Sequence, residues 1–212
     1  MSLLDQLSSQ VGDRTEAANR RVAAQCLINP ALLTEIAQGL ESDDAALVGD
    51  CAEVMTKVAA ERPEWVAPYA EALSELLRHK KTRVRWEAMH ALGLVAPLAP
   101  QVIAAVLPRL SEMLRSDKSV IVRDCIVIAL GSYARVGTGA AEDAYPILKE
   151  ALTAWEGKQA VLALEGLLNV VEVLPGLADE LRSVAEAFLE DRKARVRKAA
   201  KALVKVCGGQ DG

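Results

Sequence analysis

Apolar residues along this chain fall at three- and four-residue steps, which lays a greasy stripe along one side of a helix and leaves the other side polar. The stripes recur at a fixed interval. Leu3, Leu40, Leu77, Leu114, Leu152 and Leu189 form one column with steps of 37, 37, 37, 38 and 37 residues. Leu47, Val84, Val122, Gln159 and Val196 form a second, with steps of 37, 38, 37 and 37. The segment "ALSELLRHKKTRVRWEAMHALG" also lies over "RLSEMLRSDKSVIVRDCIVIALG" after one inserted residue. A period of this size describes a pair of short helices that cannot bury its apolar sides without a stacked neighbour. The spacing therefore predicts an all-α solenoid of about six helix pairs, over residues 1–28, 29–60, 61–97, 98–136, 137–174 and 175–208, in a single domain spanning 1–212.

Turn residues punctuate the period. Pro30, Pro63, Pro100 and Pro175 stand where first helices should begin, because the first helical position has no amide bond to lose. The second helices are predicted to start near Ser42, His79, Asp117 and Asp191, three of which are good N-caps. Pro68, Pro108 and Pro146 fall further along the first helices and predict kinks.

Composition narrows the chemistry. The chain is 51% hydrophobic but only 3% aromatic, so its interior must be built from Ala, Leu and Val, as in closely packed helices. Its net charge of −4 argues against a dedicated nucleic-acid binder. The charge is not evenly spread: residues 1–77 hold 13 acids and 5 bases, 78–135 hold 4 and 10, 136–190 hold 10 and 3, and 191–212 hold 2 and 7. Cys26, Cys51, Cys125 and Cys207 are far apart and His79 and His90 are the only histidines, so neither a metal site nor a cofactor is expected. The first three cysteines lie in apolar helical context and read as buried thiols in a reduced, cytoplasmic protein. No basic leader precedes an apolar core, and Pro97 and Pro100 interrupt the longest uncharged run, so no membrane association is expected.

Val84, Arg85, Ala88, Ala91, Leu92 and Gly93, echoed by Val122, Arg123, Ala129, Leu130 and Gly131, resemble the HEAT-repeat family. Asp117 with Arg123 and Asp191 with Arg197 match the family's Asp and Arg six residues apart. The resemblance implies a right-handed α-α superhelix, and a structural ladder through Arg85, Asp117, Arg123, Asp191 and Arg197. The ladder has a gap, since its columns hold Ala154 and Ala160 in one repeat. That joint is expected to be less fixed.

The candidate binding residues come from the second helices, which in such solenoids line the extended binding surface. Trp86, Met89, His90 and Gly93 share a helical stripe, and the corresponding positions of later repeats include Asp124, Lys198 and Lys201. An aromatic beside Arg83 has the composition of an interface hot spot. Arg83, Trp86, Met89, His90, Asp124, Lys198 and Lys201 are therefore the predicted partner-binding set. Nothing in the sequence assembles a catalytic constellation, and the expected function is a non-catalytic scaffold or adaptor whose partner is another protein. Two alternatives follow from resemblance. One is a nucleic-acid or DNA-alkylation-repair-like repeat protein, to which Trp86, Asp124 and Trp155 would belong. The other is a lyase-type repeat subunit, similar only in architecture.

Overall fold

The computed structural model describes residues 2–209. They form helices joined by short turns, and no strand occurs among the described residues. Two compact units are present, Met1–Val102 and Ile103–Gly212, with the boundary inside the helix Pro100–Ser116.

The first unit contains the second-position helices Ala17–Ile28, Ala45–Glu61 and Thr82–Val95. Between them run shorter first-position elements: Pro30–Leu32 continuing into Leu33–Gly39, and the segmented run Pro63–Val66, Ala67–Tyr69, Ala70–Glu75 and Leu76–Arg78. That segmentation has a cause in Pro68, which lacks an amide proton and crowds the preceding turn. Pro108 and Pro146 behave differently, because the helices Pro100–Ser116 and Thr138–Ala151 continue through them. Of these three prolines, only Pro68 breaks its helix. In the second unit, Val120–Ala134, Ala160–Val173 and Ala194–Gly208 are the second-position helices, and Thr138–Ala151 and Ala178–Glu186 pack against them.

The leucine column runs through the core as far as Leu152, and its last member, Leu189, is half-buried. Leu3, Leu40, Leu77, Leu114 and Leu152 are buried, and each withdraws apolar surface worth about 2 kcal/mol from water. In the second column Val84, Val122 and Val196 are equally buried. Gln159 shares that burial despite its amide.

The turns leading into the second helices follow one design. The side chains of Ser42, His79, Asp117 and Asp191 accept the backbone N–H of Asp44, Lys81, Ser119 and Lys193, at 3.1, 3.0, 2.9 and 2.7 Å. Those four acceptors of the turn precede the helices rather than cap them. The helices begin at Ala45, Thr82, Val120 and Ala194, and the residues held by the turn are themselves the N-caps. The expected starts were therefore about one turn too early, because a side chain that accepts from the second residue on builds a turn ahead of the cap. Imidazole Nδ1 of His79 does the work of an aspartate oxygen.

Glycine governs one helix contact in the second unit. Helices Val120–Ala134 and Ala160–Val173 meet at Gly131 and Gly166, where a Cβ on Gly131 would stand 3.1 Å from the Gly166 Cα. Backbone cannot turn aside as a side-chain tip can. Gly131→Ala is expected to destabilise by about 1 kcal/mol net, the overpacking cost of about 2 kcal/mol exceeding the helix-propensity gain of about 1 kcal/mol. Thermal unfolding of the variant measures the balance, and an unchanged or raised midpoint would show that the helices can separate freely.

Candidate functional site

The arginine ladder is a set of turn clamps. Arg85 Nη1 donates to the carbonyl oxygens of His79 and Lys80 at 2.8 and 3.1 Å, and Arg197 Nη1 donates to those of Asp191 and Arg192 at 2.7 and 3.2 Å. Arg123 Nη1 makes the same bond to the Asp117 carbonyl. Each arginine thus holds the carbonyl side of a turn whose amide side is held by the His79, Asp117 or Asp191 side chain.

The joint at Ala154, expected to be loose, is occupied by other groups. Trp155 and Glu156 adopt left-handed backbone, at φ 50° and 59°, and this geometry swings the indole over the repeat. Its ring receives the Arg123 guanidinium at 4.0 Å, and its Nε1 donates to the Leu114 carbonyl at 2.8 Å. Gln159 completes the joint, accepting from Arg123 Nε at 3.4 Å and donating to Asp124 Oδ1 at 3.0 Å. A stacked Arg–Trp pair and a buried amide replace the missing aspartate and arginine.

In the first unit a charged cluster lies at the second helices. Asp50 and Glu53, on Ala45–Glu61, are 1% and 3% exposed. Arg83 Nη2 reaches both, at 2.7 Å each, and Asn19 Nδ2 donates to the same two oxygens at 3.0 and 2.8 Å. Lys57 approaches the other Glu53 oxygen at 2.8 Å, and the Ser9 amide donates to Asp50 Oδ2 at 2.6 Å. Burial works to raise both carboxyls, but these donors and cations outweigh it and hold each below the ordinary carboxylate range. Glu87 goes the other way. Its burial, with the negative charge of Glu53 nearby, raises it despite the 2.6 Å hydrogen bond from Trp86 Nε1. A cleft of about 260 Å³ opens beside this cluster, lined in part by Ser9, Asp13, Arg14, Asp50, Arg83 and Trp86.

The predicted binding residues therefore separate. Arg83 and Trp86 share the cleft, but Arg83 also neutralises two interior carboxylates and is a structural residue. His90 is exposed on the same helix. Met89 is a correction: it is wholly buried and cannot meet a partner. Thr82–Val95 packs against Ala45–Glu61 on one side and Ala70–Glu75 on another, so its buried arc is wider than one stripe, and the flexible thioether fills it. In the second unit Asp124 is engaged by Gln159, while Lys198 and Lys201 are exposed on the last helix.

The second unit has a groove over its second helices. One cleft of about 240 Å³ lies between Val120–Ala134 and Ala160–Val173, lined by Val127, Ile128, Gly131, Leu162, Glu165 and Asn169 among others. Another of about 300 Å³ lies between Ala160–Val173 and Ala194–Gly208, lined by Val161, Glu165, Leu168, Arg195, Lys198, Ala199 and Ala202. Glu165 belongs to both, so the two form one track. Ile128 is 47% exposed at the first, and Asn169 Nδ2 fastens the helices by donating to the Gly131 carbonyl at 2.9 Å.

Residues 70–165 match the family model described as HEAT repeats. The matched segment carries HEAT repeats. Among solved structures, an engineered protein is 18% identical over 98% of this chain and 95% of its own, with a TM-score of 0.76. A designed armadillo repeat protein in complex with the peptide (KR)4 is 18% identical over 97% and 98%, with a TM-score of 0.75. A crystal structure of computationally designed armadillo repeat proteins for modular peptide recognition is 19% identical over 96% and 97%, with a TM-score of 0.73. None of the curated proteins matches the sequence. At this identity the likeness establishes the all-α repeat-solenoid fold.

Ile128, Glu165, Asn169 and Arg195 are groove residues that sequence reasoning did not select. A signal for Ile128 was present: "VIVRDCIVIALG" is apolar nearly all round, so one of its apolar faces had to point away from the core. Glu165 and Asn169 carry no such mark. All four cysteines are buried and unpaired by disulfide, and burial pushes the Cys26 thiol up to about 11 and the Cys51 thiol up to about 12. They act as small hydrophobes. No group of His, Cys, Asp and Glu able to hold a metal occurs among the described residues, and none of the described helices is long and apolar enough to cross a membrane.

Proposed function

We propose that this all-α repeat solenoid is a non-catalytic adaptor that binds a segment of another protein along its second helices. The observation that carries this reading is the track in the second unit: two adjoining clefts that share Glu165, lined by apolar and polar side chains, across the second helices of three successive repeats. Such a surface suits an extended chain, whose side chains point alternately into clefts and to solvent. Designed relatives of the same fold, one in complex with (KR)4 and one made for modular peptide recognition, support it. The cleft at Arg83 and Trp86 is a second surface for the same role. The titratable groups there are committed to one another through short hydrogen bonds and ion pairs, which fits a structural network better than a catalytic one.

Selection of a displayed random peptide library against the protein tests the proposal, with Ile128→Glu as the counter-target. Ile128 is half-exposed, so the variant is expected to fold, and peptides selected on the native protein are expected to bind it at least about tenfold more weakly. A library that yields no binder, or binders indifferent to Ile128→Glu, removes the groove.

A further inference from the structure

The two clefts of the track differ in charge. In the first, the charged lining group is Glu165; in the second, Arg195 and Lys198 stand on the rim opposite it. The helix that supplies them is basic on one exposed face, with Arg195, Lys198, Lys201 and Lys205 within a single arc. Among the described residues no ion pair holds any of these four. Residues 191–209 as a whole set seven basic residues against Asp191. Cations crowded beside an apolar cleft repel one another, and an arriving carboxylate relieves that repulsion.

We propose that the cleft between Ala160–Val173 and Ala194–Gly208 is specific for an acidic, amphipathic peptide segment, a specificity that rests on the adaptor reading above. An apolar side chain of the segment sits against Val161, Leu168, Ala199 and Ala202, and its carboxylates pair with Arg195 and Lys198. Glu165 sets the order of the segment, because a carboxylate on that rim meets like charge. Carboxylates flanking the apolar residue therefore lie over the last helix. Lys201 and Lys205 extend the basic face beyond the cleft and favour further acids on that side.

A protein segment fits these features better than a nucleic acid does. The floor is aliphatic and offers no aromatic face for a base to stack on, and Glu165 repels phosphate. The sign of the groove is also opposite to what a peptide such as (KR)4 requires.

The experiment is fluorescence anisotropy on the full chain with a labelled peptide of repeated Asp-Leu-Glu units. Its comparison probes are the same peptide with each Leu replaced by Ser, (KR)4, and a single-stranded oligonucleotide of equal length. The Asp-Leu-Glu peptide is expected to bind, more weakly as salt rises, and to lose about tenfold or more in affinity with Arg195→Glu combined with Lys198→Glu. Ala202→Trp keeps every charge but fills the cleft, and a loss of similar size is expected. All three substituted positions are exposed, and circular dichroism verifies that the variants are folded. Equal binding of the Ser peptide would overturn the proposal by showing that charge is read without the cleft. Tighter binding of the oligonucleotide, or of (KR)4, would overturn it as well. In the (KR)4 case, binders that remain sensitive to Ile128→Glu would leave the adaptor reading standing, whereas failure of every peptide, including the displayed library, removes both.

Discussion

Arg83→Met is expected to lower the stability of the protein by about 2–3 kcal/mol at neutral pH, and the loss should shrink as the pH is lowered towards 5. Breaking a buried pair by removing one partner costs about 3–5 kcal/mol, and the figure is reduced here because the Arg83 side chain is 38% exposed and solvent screens it. The sign of the pH dependence follows from the carboxyls. Asp50 and Glu53 are held below their ordinary values of 3.8 and 4.5 in the folded protein. Their stabilisation is present above those values and lost as the pH falls through the folded ones. Without Arg83, burial is offset only by Asn19, Lys57 and the Ser9 bonds, and both carboxyls rise. The variant then binds a proton on folding more readily than the native chain does, so acid restores part of what it lost. Glu87 adds to the acid side in both proteins, since a carboxyl raised above 4.5 contributes stability below that value and loses it as the pH rises through the folded one. Urea-unfolding midpoints of native and variant protein at pH 7 and pH 5 measure the effect. A deficit that stays constant or grows at pH 5 would show that Arg83 acts through its methylene packing and not through its charge.

Arg123→Met is expected to cost more, about 3–4 kcal/mol, or roughly a 10 °C fall in melting temperature for a chain of this length. Arg123 is wholly buried, so nothing screens its contacts. Methionine matches the apolar stem but leaves the Asp117 carbonyl and the Gln159 Oε1 short of a donor, at about 1–2 kcal/mol each. It also removes the cation above Trp155, worth about 1 kcal/mol or more in a desolvated setting. Arg197→Met is the control. Arg197 clamps the equivalent turn of the last repeat but remains partly exposed, and its loss is expected to cost about 1 kcal/mol. Differential scanning calorimetry of the two variants compares them directly. Equal shifts would mean that the Arg–Trp–Gln joint contributes nothing beyond an ordinary turn clamp.

Arg83 and Arg123 also mark where sequence reasoning stopped. Arg123 falls in a periodic column, and its structural role beside the Asp117 turn followed from the family resemblance. The indole that covers it did not, because Trp155 belongs to the next repeat and reaches it only through two left-handed residues. Arg83 fits no column and reads as a solvated or partner-facing cation. Its interior role depends on Asp50, Glu53 and Asn19, which lie 30 or more residues earlier and look like ordinary helix-surface polar residues on a linear pattern. Met89 fails for a related reason: a helical stripe assigns it to the face of Trp86 and His90, but a helix packed on two sides buries more than one stripe.

What the amino-acid sequence determines by itself is everything periodic: the helix pairs, the leucine column, the turn positions, and the family they resemble. Those features need only neighbours along the chain and a repeat length, and both are written in the spacing. Tertiary structure decides what aperiodic residues do. It encloses the Asp50–Glu53–Arg83 cluster, fills the Ala154 joint with Trp155 and Gln159, and joins Ile128, Glu165, Arg195 and Lys198 along one groove. Each of these depends on side chains from different repeats arriving within hydrogen-bond or contact distance. Electrostatics and packing act through that separation in space, which spacing along the chain does not encode.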